Sequence, residues 1–158
     1  MANTTFSGPV TSTNGFITGT GVNSTVTAAT LAVTADAYNG QTINLSRAAG
    51  IVVTLPAATG TNAVYKFVVT TAVTTNNYII QVANATDTMN GLASVAATTG
   101  SVFSTLPASD TITMSGTTTG GLIGSYVQIT DVATGEFLVT AALVGSGSPA
   151  TPFSAAVS

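Results

Sequence analysis

Short runs in which apolar and polar residues alternate recur along the chain, with turn-forming residues between them. The run AVYKFVV places Tyr65, Phe67 and Val69 on one face and sets Lys66 between two valines on the other. A period of two residues is typical of a β-strand with one buried face. No stretch of 11 or more residues keeps the apolar spacing of an amphipathic helix, so the pattern predicts an all-β chain.

The runs GIVVTLP, NNYIIQVAN and DTITMSG predict further strands. The first, residues 50–56, is apolar at almost every position and predicts a strand buried on both faces. Pro56 closes it, because proline cannot donate a hydrogen bond to a strand ladder. The other two runs alternate, and their predicted inward residues are Tyr78, Ile80, Val82, Ile112 and Met114.

Turn residues between these runs predict how the strands connect. Asn39-Gly40 in AYNGQTINL predicts a hairpin, and Asp87 with Asn90-Gly91 predicts a turn in ATDTMNG. The clearest hairpin pairs Tyr126–Thr130 with Phe137–Val144 around DVATGE, and TTTGGLIG before it reads as a flexible bridge. Many short strands joined by turns favour a single antiparallel sandwich, a jelly-roll-like domain or a barrel.

A threonine motif recurs near the start of the chain, and a sustained repeat of this kind would indicate a solenoid. The motif T-x-T occurs at 11–13, 18–20 and 25–27, in steps of seven residues, and the period is then lost. A solenoid keeps its period over at least three coils, so no solenoid is predicted.

The first 24 residues differ from the rest because they contain no sustained pattern. Their larger apolar residues include Phe6, Pro9, Val10 and Phe16. Such a segment is a tail, an edge strand of its own domain, or an arm that becomes ordered on a partner. We divide the chain into an extended N-terminal arm, residues 1–24, and a β-sandwich body, residues 25–158. The four apolar residues are the candidate partner-binding residues.

Composition narrows the function classes. Charged residues make up 4% of the chain, against about 25% in an average domain, and threonine alone accounts for about a fifth. With one arginine and one lysine the chain cannot neutralise a row of phosphates, so neither nucleic acid nor an anionic membrane is an expected partner. No apolar run approaches the length of a membrane-spanning helix.

Catalytic residues are scarce. The chain has no histidine, cysteine or tryptophan, and its carboxylates are spread out. Only Asp131 and Glu136 are close in sequence, and we interpret them as solvated residues flanking a turn. We therefore predict no catalytic, cofactor or metal site and no enzymatic activity. Lys66 is predicted to protect an edge strand, or else to form an ion pair with an aspartate of another subunit.

Three stretches together resemble a known family: MANTTFSGPVTSTNGF, TLPAATGTNAVYKFVV followed by YIIQVANATDTMNG, and the closing GSYVQITDVATGEFLVTAALVGSGSPATPFS. They are similar to small virion structural proteins of tailed bacteriophages, especially marine and cyanobacterial phages, of the capsid decoration (cement) type. The resemblance implies a β-rich homotrimer on the outer capsid surface that binds the major capsid protein and bridges capsomers.

Other functions remain open. A head or tail fibre component that binds a host receptor is the main alternative, although the aromatic residues lie in alternating strands rather than in loops. An ice-binding protein would suit the threonine content, but the threonine period is lost. A bacterial surface-layer module is disfavoured because the first residues lack the features of a secretory signal.

Overall fold

A computed structural model describes residues 24–157. Strands contain 47% of the residues and helix 3%, which confirms the all-β prediction. No helix in the described range is long and apolar enough to cross a membrane. The elements are β1 Ser24–Val26, β2 Thr30–Ala32, α1 Ala35–Tyr38, β3 Thr42–Leu45, β4 Ile51–Thr54, β5 Val64–Val69, β6 Tyr78–Gln81, β7 Thr88–Ala96, β8 Gly100–Ser104, β9 Thr111–Met114, β10 Tyr126–Ala133, β11 Glu136–Val144 and β12 Phe153–Ser154.

The strands form two open sheets. The seven-stranded sheet has the order β1-β3-β5-β10-β11-β7-β8, and the five-stranded sheet has the order β12-β9-β6-β4-β2. Five of the ten pairings between these strands are parallel, so the prediction of an antiparallel domain is wrong and both sheets are mixed. No closed barrel forms among the described strands, and a jelly roll is not confirmed.

Four of the five parallel pairings arise because the first six strands wind between the sheets, and the fifth joins β7 to β11. Strands β1, β3 and β5 lie side by side in the seven-stranded sheet, while β2, β4 and β6 lie side by side in the five-stranded sheet. Each circuit of the chain therefore adds one strand to each sheet, which is the winding of a solenoid and was not predicted from the lost threonine period. This region, residues 24–82, is the wound half; residues 83–157, with the hairpins β7–β8 and β10–β11, are the hairpin half.

Both sheets direct their apolar faces into one core. The predicted inward residues of β5, β6 and β9 are all nearly inaccessible to solvent, as their alternation requires. Strand β4 is the exception to the predictions. Ile51 and Val53 are buried but Val52 and Thr54 are half-buried, so one face of this strand stays partly open to solvent.

The two predicted hairpins have different outcomes. Tyr126–Ala133 pairs antiparallel with Glu136–Val144, which confirms the C-terminal hairpin. Asn39-Gly40 does not make a hairpin, because helix α1 precedes it and β3 pairs in parallel with β1 and β5. Gly40 does have the positive φ of 72° that its turn prediction requires. The turn leads the chain from one sheet to the other instead of reversing it within a sheet.

The predicted turn at Asn90-Gly91 is also wrong, because both residues lie inside β7. Gly91 has a φ of 151°, and a Cβ placed on it would overlap the backbone carbonyl of Val139 on the neighbouring strand β11. Glycine is needed here for close approach of two strands and not for a turn.

Candidate functional site

The sequence-predicted contact residues Phe6, Pro9, Val10 and Phe16 lie outside the described residues. The predicted arm, residues 1–24, contributes only Ser24 to the described range, as the first residue of β1. The arm hypothesis therefore stays a prediction. The sites below are built from the body of the protein.

Asp131 is not the solvated turn residue that its position suggested. It is 3% exposed, and its carboxylate binds the loop between β4 and β5. Its Oδ1 accepts hydrogen bonds from the backbone N–H groups of Thr59 (3.0 Å) and Gly60 (2.7 Å). Its Oδ2 accepts from the Thr61 N–H (3.0 Å) and the Thr61 hydroxyl (2.7 Å). A carboxylate surrounded by donors in this way is stabilised in its charged form.

These contacts set the ionisation of the site. Burial by itself would raise the pKa of Asp131, but the hydrogen bonds from Thr61, Gly60 and Thr59 outweigh it and hold the pKa below its usual value. Burial raises the pKa of Tyr65, and the nearby negative charge of Asp131 raises it further. Asp131 therefore stays ionised and Tyr65 stays neutral at neutral pH.

Asp87 binds the same loop from a second direction. It is 4% exposed, and its Oδ2 accepts hydrogen bonds from the Ala58 N–H (2.9 Å) and the Asn84 side-chain amide (2.8 Å). Asp87 and Asp131 belong to the hairpin half, whereas the loop of residues 56–63 belongs to the wound half. The two carboxylates therefore join the halves of the molecule.

Asp110 holds the C-terminal segment. Its carboxylate accepts hydrogen bonds from the N–H groups of Ala156 (2.8 Å) and Val157 (3.2 Å) and from the Thr111 hydroxyl (2.7 Å). Each of the three buried aspartates thus uses its oxygen atoms on the protein's own donors. This arrangement is structural, and the residues that perform it were missed by the sequence analysis.

A signal for these residues was present in the pattern. Asp131 follows Val127 and Ile129 at the same two-residue spacing, so it falls in phase with buried positions. Asp110 precedes Ile112 and Met114 in phase, and Asp87 precedes Met89. An acidic residue in phase with the inward face of a strand indicates a buried carboxylate with donors, because an unpaired buried charge is too costly.

The outer face of the seven-stranded sheet is the broadest candidate contact surface. It carries two charged residues, Lys66 and Glu136, and its apolar side chains include Leu92 and Leu138, which are 46% and 47% exposed. One row crosses all seven strands in register without a charge: Thr25, Asn44, Val68, Tyr126, Ala142, Ser94 and Val102. The chemistry that this face offers is therefore apolar surface and neutral hydrogen-bonding groups.

Lys66 lies on this outer face, but its predicted role as an edge-strand residue is wrong. Strand β5 lies between β3 and β10, and the cross-strand neighbours of Lys66 are Thr42 and Gln128. The half-buried lysine therefore stands in the interior of the sheet next to neutral residues. The ion pair with an aspartate of another subunit stays a prediction.

A groove of about 390 Å³ lies beside Arg47 in the wound half. One guanidinium nitrogen of Arg47 donates to the carbonyls of Ala49 (3.1 Å) and Gly50 (2.7 Å), which orders the loop before β4. The groove contains this single cation among neutral residues; its lining is Ala29, Thr30, Arg47, Ala49, Gly50, Ile51, Val52, Asn76, Asn77 and Ile79. The groove thus combines apolar side chains with one cation, two asparagines and a threonine.

The segment TTTGGLIG forms hydrogen-bonded turns. The Gly116 N–H donates to the Gly120 carbonyl, the Gly121 N–H donates to the Ser125 hydroxyl (3.0 Å), and the Val73 N–H donates to the Gly121 carbonyl (3.1 Å). The exposed large apolar side chain of this segment is Ile123, with 65% of its surface exposed. The segment is therefore a defined loop that displays one apolar residue.

Within residues 24–157 no cluster of three or more histidine, cysteine, aspartate or glutamate residues is arranged to hold a metal ion. Comparison of the chain with models of protein families, with curated proteins and with solved structures produced no match.

Proposed function

We propose that this chain is a non-enzymatic structural protein of a bacteriophage virion, which binds the outside of the assembled capsid and stabilises the shell. The single observation that carries the proposal beyond the sequence resemblance is the outer face of the seven-stranded sheet. It is wide, displays leucine and valine side chains, and has only two charges. A surface of this kind suits burial against a protein neighbour better than permanent contact with water.

The mechanism follows from linkage. A ligand that binds only the assembled lattice shifts the equilibrium toward assembly, and capsid symmetry repeats each weak contact many times. The partner in this proposal is the major capsid protein, and the contact is made by apolar burial and neutral hydrogen bonds. Association should therefore change little between about 0.05 and 0.5 M salt, where ionic contacts would weaken strongly.

The test is cosedimentation with undecorated capsids, using purified protein and three variants. Deleting residues 2–16 removes the predicted arm anchors, Leu138→Lys places a charge on the outer face, and Ile123→Lys places one on the loop. We expect the deletion and Leu138→Lys to lose binding while keeping a β circular dichroism spectrum. Ile123→Lys, with a similarly exposed apolar residue replaced, is the matched control.

The results separate the parts of the proposal. Binding of the deletion variant at wild-type affinity would show that the arm is only a tail. Loss of binding by Ile123→Lys alone would move the contact to the loop. Failure of the wild-type protein to bind capsids, or electron micrographs that place it on the tail or on a fibre, would overturn the decoration function.

A further inference from the structure

Strand β8 is an unusual edge of the seven-stranded sheet. Among the strands of residues 24–157, those at the edges of the two sheets are β1, β2, β8 and β12, and three of these contain only two or three residues. Strand β8 contains five, and neither of its faces is fully buried. Val102 at its centre is 66% exposed. Edge strands are normally protected by charge, proline, bulges or short length, and β8 has none of these protections.

The chain around β8 is also uncharged. No charged residue occurs between Asp87 and Asp110, a stretch that includes all of β7 and β8. Like charges that face each other across two identical strands normally oppose self-pairing. Two copies of β8 can lie side by side without any such charge pair. The same stretch would give no electrostatic reason to choose a different, charged partner.

The hydrogen bonds on either side of β8 show which of its backbone groups face outward. The Thr105 N–H donates to the Gly91 carbonyl, and the Ala97 N–H donates to the Thr99 carbonyl. Because bonded and non-bonded pairs alternate in an antiparallel ladder, Ser101 and Phe103 bond to β7. The backbone N–H and C=O groups of Gly100, Val102 and Ser104 therefore lie in the plane of the sheet and point to the side opposite β7.

We propose that β8 is a homodimer interface in which a second copy of the chain pairs antiparallel with it about a two-fold axis at Val102. The outward groups are symmetric about Val102, so rotation by a half-turn brings each donor opposite an acceptor. Val102 then faces its own copy, and Gly100 faces Ser104, which is a small and uncrowded pair. The seven-stranded sheets of the two copies become one continuous sheet.

Side chains next to the axis add apolar burial to these backbone bonds. Phe103 packs on the core but remains half-buried, and the two-fold register places it diagonal to Phe103 of the second copy, within reach of an aromatic side chain. Leu106, 71% exposed just beyond β8, comes opposite Thr98 of the second copy. The interface is isologous, as in most homodimers.

This dimer is independent of the proposed capsid function and differs from the homotrimer that the sequence resemblance implies.

The first test uses the absence of cysteine from the chain. In the dimer the two Val102 Cα atoms are about 5.5 Å apart, within the range that a disulfide bridges. Under mild oxidation we expect Val102→Cys to form a covalent dimer much faster than Ile123→Cys, a control with 65% exposure. Equal rates would overturn the interface.

The second test measures mass in solution from about 1 to about 100 μM. We expect the wild-type protein to approach twice its 15.5 kDa chain mass. Val102→Lys should raise the dissociation constant about tenfold or more, because it places two like charges at the axis. Ile123→Lys should leave the dimer intact. A monomer throughout this range, a trimer, or equal effects of the two lysine variants would overturn the proposal. Circular dichroism confirms that each variant is folded.

Discussion

The wound half and the hairpin half use the same kind of strand in different ways. In the wound half every consecutive strand changes sheet, so all contacts between neighbouring strands join residues far apart in sequence. In the hairpin half, β7 pairs with β8 and β10 pairs with β11 across short turns. Short turns therefore decide these two hairpin pairings, whereas β7 and β11 pair in parallel across a long sequence separation. In the wound half turns decide only where the chain crosses to the other sheet.

Charge is also divided between the halves. The hairpin half holds Asp87, Asp110, Asp131 and Glu136 and no basic residue, whereas both basic residues lie in the wound half. Two of these carboxylates bind the loop of residues 56–63 across the boundary. Two of the seven charged residues thus connect the halves, and only Lys66 and Glu136 lie on the outer face.

The largest expected effect comes from Gly91, where β7 approaches β11 in the hairpin half. Gly91→Ala would place a Cβ against the Val139 carbonyl and strain a backbone with a φ of 151°. We expect the free energy of unfolding, measured in urea, to fall by about 3 kcal/mol or more. Gly100→Ala is the control, because a Cβ there meets nothing within 4 Å and its loss should stay within about 0.5 kcal/mol. Equal losses would show that the close approach is unimportant.

A second change weakens the connection between the halves. Asp131→Asn removes the charge that accepts five hydrogen bonds from Thr59, Gly60 and Thr61. We expect a loss of about 2 kcal/mol at pH 7. Glu136→Gln, on an exposed residue of the same hairpin, should change stability by less than about 0.5 kcal/mol.

The pH dependence of this effect has a definite sign. The folded pKa of Asp131 lies below its unfolded value of about 3.9, so its contribution is complete above that value and is lost as the pH falls through the folded pKa. The stability difference between wild type and Asp131→Asn should therefore shrink in acid. A difference that stays constant down to about pH 2 would contradict the assigned role.

The smallest expected loss of stability comes from removing the hydroxyl of Tyr78 in the wound half. Its buried hydroxyl accepts a hydrogen bond from the Arg47 N–H (3.0 Å) and donates to the Thr71 carbonyl (2.8 Å). Tyr78→Phe should cost about 1–2 kcal/mol, because two backbone groups lose their partner. The control is Tyr126→Phe, whose hydroxyl binds Gln128 on the outer face and should matter little. If the two variants are equally stable, the hydroxyl of Tyr78 does not support the winding.

The aspartates show how far the candidate sites could be predicted. Their phase with Met89, Ile112 and Ile129 places them inward, and that information is local. Their partners are not local, since Asp131 binds residues 70 to 72 positions earlier. For the same reason the outer face and the free edge of β8 could not be located, because both depend on which strands become neighbours.

The sequence by itself determined the strand content, the inward phase of β5, β6, β9 and the C-terminal hairpin, and the near absence of charge. These properties follow from residue type and a two-residue period, which act over a few positions along the chain. Only the tertiary structure decided that β1 to β6 wind between two sheets, that Asn39-Gly40 connects sheets, and that Gly91 lies inside a strand. Parallel neighbours are selected by burying side chains from distant segments in one core, and no local pattern encodes that choice.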